Sequence, residues 1–180
     1  MTGLPIRTER LEIRDFAPAD LSAVHALVSD PEVARFTSFD SESVAQTEAM
    51  LREWLPGSVE RVDYKLAVSR CGSSELVGWA GSMARSEEQY EIGYAVARSA
   101  WGQGFATEIA RAMTAFSFEA RGAHRVFARV DPRNPASAWV LEKLGFRREA
   151  HFRRDSKLKG EWCDTVVFGM LSSEWRERET

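Results

Sequence analysis

The sequence predicts a single domain over residues 1–180 of the α/β (α+β) class: a mixed, mainly antiparallel sheet of six to seven strands flanked by about four helices. Three observations predict it. The length of 180 residues suits about one domain, and a hydrophobic fraction of 44% is ordinary for a chain with a packed core. Strand-like and helix-like hydrophobic periods follow one another with no linker, repeat or low-complexity tract between them. Their order is strand, two helices, three strands, helix, strand, helix, two strands. A meander is therefore followed by a helical crossover to a parallel neighbour.

Arg10 to Phe16 alternates Leu11 and Ile13 with Glu12 and Arg14, the pattern of a half-buried strand. Pro18-Ala19-Asp20 opens a helix with Leu21, Val24, Leu27 and Val28 on one face. Ser29-Asp30-Pro31 ends it, because the residue before a proline disfavours helical geometry. A second helix spans Ser41 to Leu55 and stops at Pro56-Gly57. Tyr64–Ser69, Leu76–Ala84 and Tyr90–Ala97 read as strands, with Cys71–Ser74 and Arg85–Glu88 as their turns. Phe105, Ile109, Met113, Phe116 and Ala120 then recur at helical spacing, a core-facing stripe that Gly122 stops. Arg125–Val130 alternates again, with Val126, Ala128 and Val130 on one face. Asn134 suits an N-cap and Pro135 the first position of a helix that carries Leu141 and Leu144 and stops at Gly145. Strands near Phe146–Arg154 and Trp162–Leu171, joined around Lys159-Gly160, complete the chain.

The segment Trp101-Gly102-Gln103-Gly104-Phe105-Ala106-Thr107-Glu108 joins the Glu91–Val96 strand to the next helix. Glycines at such a junction let backbone amides approach a ligand, and the helix behind them offers unpaired N–H groups and a positive dipole end. That combination suits a phosphate or pyrophosphate. A plain glycine turn is the competing reading. A Walker loop is excluded because no Gly-Lys-Ser/Thr occurs, and a dinucleotide fingerprint is excluded because Thr107 stands at its third glycine position.

Composition narrows the function further. A net charge of −3 provides no dominant basic field, so nucleic acid is not the expected partner. The two cysteines, Cys71 and Cys163, have neither metal spacing nor a disulfide framework, and reduced thiols in a cytoplasmic setting are the simplest reading. His25, His124 and His151 are too dispersed for a metal motif. The charged first 20 residues lack a signal-peptide core, and no apolar run approaches the ~18 residues of a membrane span.

The words Thr8-Glu9-Arg10-Leu11, Asp30-Pro31-Glu32-Val33, Glu91-Ile92-Gly93-Tyr94, the Trp101–Glu108 loop, Val130-Asp131-Pro132-x-Asn134-x-x-Ser137, Leu141-Glu142-Lys143-Leu144-Gly145-Phe146 and Gly160-Glu161-Trp162 occur in order over nearly the whole chain. Together they resemble the GNAT superfamily of acetyl-CoA-dependent N-acyltransferases, in its RimJ/RimL-like branch. The resemblance implies the GNAT fold, acetyl-CoA as cosubstrate, no metal, and an amine acceptor. A protein N-terminus leads the acceptor classes, and a small amine such as a polyamine, amino acid or aminoglycoside is the alternative. A non-catalytic acyl-CoA sensor is a further alternative, and a homodimer is an open expectation. The superfamily loop reads Arg/Gln-x-x-Gly-x-Gly/Ala; here it reads Trp101-x-x-Gly104-x-Ala106, with the tryptophan of this branch at the first position. The resemblance assigns the CoA pyrophosphate to backbone amides of Gly102, Gln103, Gly104, Phe105, Ala106 and Thr107. It assigns the pantetheine arm to backbone groups of Tyr94, Ala95 and Val96, with Asn134 beside them.

Acetyl transfer to an amine needs a neutral amine, aligned reactants and a leaving thiolate that gains a proton. An α-amine, with a pKa of ~7.7–8.0, demands less of a base than a lysine near ~10.4. Glu91, beside the expected acyl site, is the candidate base; a surface strand carboxylate is the alternative. Ser137 resembles the serine that faces the CoA sulfur in this branch, with helix capping as its alternative role. Two family positions depart: Arg129 stands where some relatives carry a carboxylate, and Leu141 where many carry a tyrosine acid. His151, Trp54 and Trp162 are further candidates for the acceptor cleft, although core packing is the default for a tryptophan.

Overall fold

The computed structural model describes residues 3–39, 43–57 and 61–179. Its centre is an eight-stranded sheet. The strands are β1 (Ile6–Arg7), β2 (Leu11–Asp15), β3 (Asp63–Arg70), β4 (Leu76–Ser86), β5 (Gln89–Val96), β6 (Arg125–Val130), β7 (Arg147–Leu158) and β8 (Glu161–Leu171). They lie in the order β1-β2-β3-β4-β5-β6-β8-β7. Only β5 and β6 are parallel neighbours; every other pair is antiparallel. The helices are α1 (Leu21–Val28), α2 (Pro31–Ala34), α3 (Val44–Trp54), α4 (Phe105–Ala115), α5 (Pro135–Leu144) and α6 (Ser172–Glu179). A π-helical turn, Phe116–Ala120, continues α4.

Both faces of the sheet are covered, which produces two cores. On one face α4 and α5 bury Phe105, Ile109, Met113, Val140 and Leu141 against Leu66, Val126 and Phe168. On the other, α1 and α3 bury Val24, Leu27, Leu51 and Trp54 against Phe16, Ala67 and Ala95. Trp54 belongs to this core rather than to a cleft: its ring packs 5.2 Å from Phe16 and 6.0 Å from Trp79.

Local chemistry explains the ends of these elements. Asn134 Oδ1 accepts the Ser137 N–H at 3.2 Å and caps α5, with Pro135 at its first position. Gly145 closes α5 at φ +88°, and the Phe146 N–H returns to Leu141 O at 3.0 Å. Lys159 and Gly160 have φ of +47° and +86°, the signature of a two-residue hairpin turn matched to strand twist.

Four helices and seven strands match the sequence expectation. The eighth strand, β1, pairs with β2 through only Ile6 and Arg7, too short to show a period. The first helix does stop before Asp30-Pro31, at Val28, and the same dipeptide opens the further helix α2: proline fits a first helical turn, and Asp30 caps it by accepting the Glu32 N–H at 2.9 Å. Helix α6 has little amphipathic pattern; Trp175 anchors it by stacking on Phe118 at 5.9 Å. The predicted start of α3 at Ser41 lies outside the described residues. Its described cap is Ser43, which accepts the Gln46 N–H.

Candidate active site

Strands β5 and β6 pair only from Gln89↔Arg125 to Glu91↔Phe127. Beyond that point they part, and a cavity of about 1790 Å³ occupies the gap. Its walls include Ile92–Val96 of β5, Ala128–Val130 of β6, the loop before α4 and the start of α5. Crevices at the carboxyl ends of parallel strands are the usual ligand sites of α/β sheets.

The parted strand has free backbone groups on one edge. Ala97 N–H donates to Val77 O at 2.8 Å, and the Ala95 carbonyl turns to β4, where a Cβ on Gly78 would lie 2.3 Å from it. Strand alternation therefore directs the backbone groups of Tyr94 and Val96 the other way, toward the cavity. Val96 O already accepts the Trp101 indole N–H at 2.7 Å. Of the three residues expected to pair with an extended ligand, Tyr94 presents its groups most openly, and Ala95 spends its carbonyl on β4.

The glycine loop has the backbone that its sequence implied. Gly102 and Gly104 have φ of +73° and +80°, and Gly104 is the N-cap of α4 without any side-chain cap. The α4 amides thus lack the side-chain acceptor that Asp30, Ser43 and Asn134 supply to their helices. Ala106 and Thr107 line the cavity; Phe105 is buried, with the Arg10 and Arg70 guanidinium groups 4.7 and 4.9 Å from its ring centre. Arg10 donates to Gln103 O at 2.9 Å and to Glu108 Oε2 at 2.8 Å, and Arg70 reaches Gln103 Oε1 at 3.1 Å. Thr8 Oγ1 donates to Glu108 Oε1 at 2.5 Å. Burial pushes the Glu108 carboxyl upward, but its bonds from Thr8 and Arg10 outweigh this and hold it below its ordinary value.

The first turn of α5 forms the facing wall. Asn134 performs the cap and also lines the cavity, so both of its expected roles are open to it. Ser137 contributes only its N–H to that cap; its Oγ lies 3.2 Å from the Tyr94 hydroxyl, across the gap from β5. Leu141 is fully buried in the core and cannot supply the absent tyrosine hydroxyl. Glu91 sits at the vertex where the strands part, outside the cavity lining, with Oε2 accepting from Arg85 Nε at 2.6 Å.

The far end of the cavity is aromatic, formed by Phe36, Phe39 and Trp79. Of the carboxylates on this part of the lining, Asp131 is paired with Arg133, whereas Glu32 has no ion-pair partner among the described residues; outside the lining, Asp155 pairs with Arg129 and Asp164 contacts His151. The His151–Asp164 contact of 2.8 Å joins β7 to β8, and neither His151 nor Trp162, which is 63% exposed, lines the cavity. Sequence reasoning missed the Thr8–Arg10 brace, the Tyr94 side chain and this aromatic wall. Among the described residues no group of three or more His, Cys, Asp or Glu side chains is arranged to hold a metal ion, and no helix is long and apolar enough to cross a membrane.

A glycine-capped helix end beside a parted strand suits a ligand with a phosphate group and an extended amide-bearing arm, as acetyl-CoA is. Known proteins agree. The family model described as Acetyltransferase (GNAT) domain matches residues 10–147. The uncharacterized N-acetyltransferase YoaA of Bacillus subtilis (strain 168) is 30% identical over 169 residues, covering 92% of this chain and 96% of that protein. The crystal structure of a GNAT-family acetyltransferase from Bacillus anthracis superposes with a TM-score of 0.85 at 29% identity, covering 94% of this chain and 99% of that one. The [ribosomal protein uS5]-alanine N-acetyltransferase of Escherichia coli (strain K12) is 26% identical over 84 residues, 47% of this chain and 43% of that protein. The chain belongs to the GNAT acetyltransferase family and is an acetyl-CoA-dependent N-acetyltransferase.

Proposed function

We propose that the acceptor is the α-amine of a protein N-terminus. The observation that carries this reading is the aromatic far end of the cavity, formed by Phe36, Phe39 and Trp79, where Asp131 is already paired with Arg133. A polyamine would draw on several unpaired carboxylates for its ammonium groups, whereas Asp131 is already committed to Arg133 and Glu32 is what remains on this part of the lining. An N-terminal amine carries one charge, which it sheds near neutral pH, and brings a peptide body that aromatic walls can cover. The partial match to a ribosomal-protein alanine N-acetyltransferase supports the same class.

In this reading the α4 amides from Gly104 to Thr107 hold the pyrophosphate, and Tyr94 pairs its backbone with the pantetheine arm. Glu91, at the vertex just outside the cavity lining, takes the proton of the attacking amine through water, with Arg85 holding its carboxylate in place. Ser137 faces the leaving sulfur. Alignment in the parted sheet supplies much of the rate, as much as ~7–11 kcal/mol in well-oriented systems. The test is thiol release with acetyl-CoA against a panel of short peptides with free N-termini, their N-blocked, lysine-containing counterparts, spermidine and single amino acids. Free-N-terminus peptides are expected to give the highest kcat/KM. Spermidine exceeding every peptide would overturn the reading.

A further inference from the structure

We propose that the Tyr94 hydroxyl is a positioning group for the leaving thiolate, acting through Ser137: Tyr94 donates its hydrogen to Ser137 Oγ and thereby aims the Ser137 hydrogen at the sulfur. The inference rests on the acetyl-CoA reading of the parted strands, but not on the identity of the acceptor.

Two observations carry it. The first is geometric. Tyr94 projects from β5 across the gap to α5, and its hydroxyl lies 3.2 Å from Ser137 Oγ. The Ser137 hydroxyl is not consumed by the helix cap, because Asn134 Oδ1 caps α5 through the Ser137 N–H instead. The second is the burial of Leu141, which removes the position where relatives carry a tyrosine acid and leaves Tyr94 as the phenol on this wall of the cavity.

The direction of the bond follows from acidity. A phenol, at an ordinary pKa of ~10, is a better donor than an aliphatic hydroxyl, so Tyr94 donates and Ser137 accepts. Burial pushes the Tyr94 phenol up to about 12, against a smaller downward pull from the Ser137 bond, so it keeps its proton at neutral pH. With its oxygen accepting, Ser137 has one hydrogen left to give. The acceptor nitrogen bonds the acetyl carbon; as the carbon–sulfur bond breaks, its electron pair goes to sulfur, and the Ser137 hydrogen bond strengthens there. The proton the acceptor nitrogen loses, relayed by solvent, balances the one the thiolate takes up.

The test uses the binary complex with CoA, which needs no acceptor. Thiolate absorbance followed against pH gives the pKa of the bound thiol, for wild type, Tyr94→Phe, Ser137→Ala and the double variant. The CoA thiol is expected to titrate lower in the wild-type complex than in free CoA in water. Each single variant should raise the bound pKa by about half a unit to one unit, equal to roughly 3- to 10-fold weaker thiolate stabilisation. The double variant should go no higher than Ser137→Ala, because Tyr94 acts only through Ser137. With a turned-over peptide, Tyr94→Phe should lower kcat by roughly 10-fold and leave the acetyl-CoA KM within about twofold. A bound thiol unmoved by Ser137→Ala would overturn the proposal, whether or not Tyr94→Phe folds. So would full additivity of the two variants. Failure of wild type to bind CoA would instead overturn the reading of the cavity.

Discussion

Arg10 and Glu108, ninety-eight residues apart, brace the glycine loop from behind. The Arg10 side chain bonds Glu108 Oε2 at 2.8 Å and its backbone N–H bonds Oε1 at 3.0 Å, while its guanidinium also reaches Gln103 O. The turn between β1 and β2 therefore fixes the loop that opens α4. Its purpose is preorganisation: a loop already in its bound shape loses less entropy on binding.

Arg10→Ala releases Gln103 and Glu108 together. Acetyl-CoA affinity should fall by roughly 3- to 10-fold, up to about 1.4 kcal/mol, with kcat at saturation little changed. Calorimetry of acetyl-CoA binding checks the first expectation and saturation kinetics the second. Thr8→Val, which removes a single bond to the same carboxylate, should give the smaller effect.

Gly104→Asp places a carboxylate at a backbone with φ of +80°, beside the amides proposed to meet the pyrophosphate. Charge and conformation both oppose binding. Affinity should fall at least tenfold, about 1.4 kcal/mol. Gly102→Asp shares the positive φ but not the helix cap, so the smaller loss is expected there. Equal losses would show that backbone strain alone is being measured.

Glu91→Gln keeps shape and removes charge. If the carboxylate at the vertex deprotonates the amine, turnover should drop at neutral pH and recover in part as pH rises, since solvent then neutralises the amine. Recovery should come at lower pH for an α-amine than for a lysine-like amine. Because Arg85 holds this carboxylate, Arg85→Ala should lower kcat in the same direction by a smaller factor. A Glu91→Gln variant with wild-type rates across pH 6–9, a range that brackets the α-amino pKa, would leave the chemistry to alignment and solvent.

Asp20 accepts two bonds from the Arg14 guanidinium at 2.8 Å and one from the Ala17 N–H, also 2.8 Å. Burial pushes its carboxyl up, but these bonds outweigh it, and Asp20 titrates below its ordinary value of 3.8. A folded value below the unfolded one means the stabilisation is complete above the unfolded pKa and disappears as pH falls through the lowered one. Urea midpoints should thus fall in moderate acid. Asp20→Asn should cost about 1–3 kcal/mol at pH 7, as for hydrogen bonds to charged groups, and should blunt the acid dependence.

Most of the fold was legible because its signals are local. The alternation of Val126, Ala128 and Val130, the stripe from Phe105 to Phe116, and the glycine at 145 each state their geometry within a few residues. The two-residue β1 and the weakly patterned α6 have no period to read; Trp175 is explained only by Phe118, far away in sequence. The site divides in the same way. The glycine loop and the Asn134 cap are local and were readable. That the cap leaves Ser137 Oγ free for Tyr94, and that Glu108 is a brace, are contacts over 43 and 98 residues that depend on the finished sheet.

The gap between β5 and β6 also ties folding to supply. The sheet is interrupted at its middle, where β5 and β6 pair through only three residues each, so few backbone bonds tie its two halves together. A cosubstrate that occupies the gap binds the folded chain and not the unfolded one, and at 100 times its Kd contributes about 2.7 kcal/mol to stability. The melting temperature should then track the concentration of acetyl-CoA, and depletion of acetyl-CoA would leave the enzyme more open to proteolysis as well as idle.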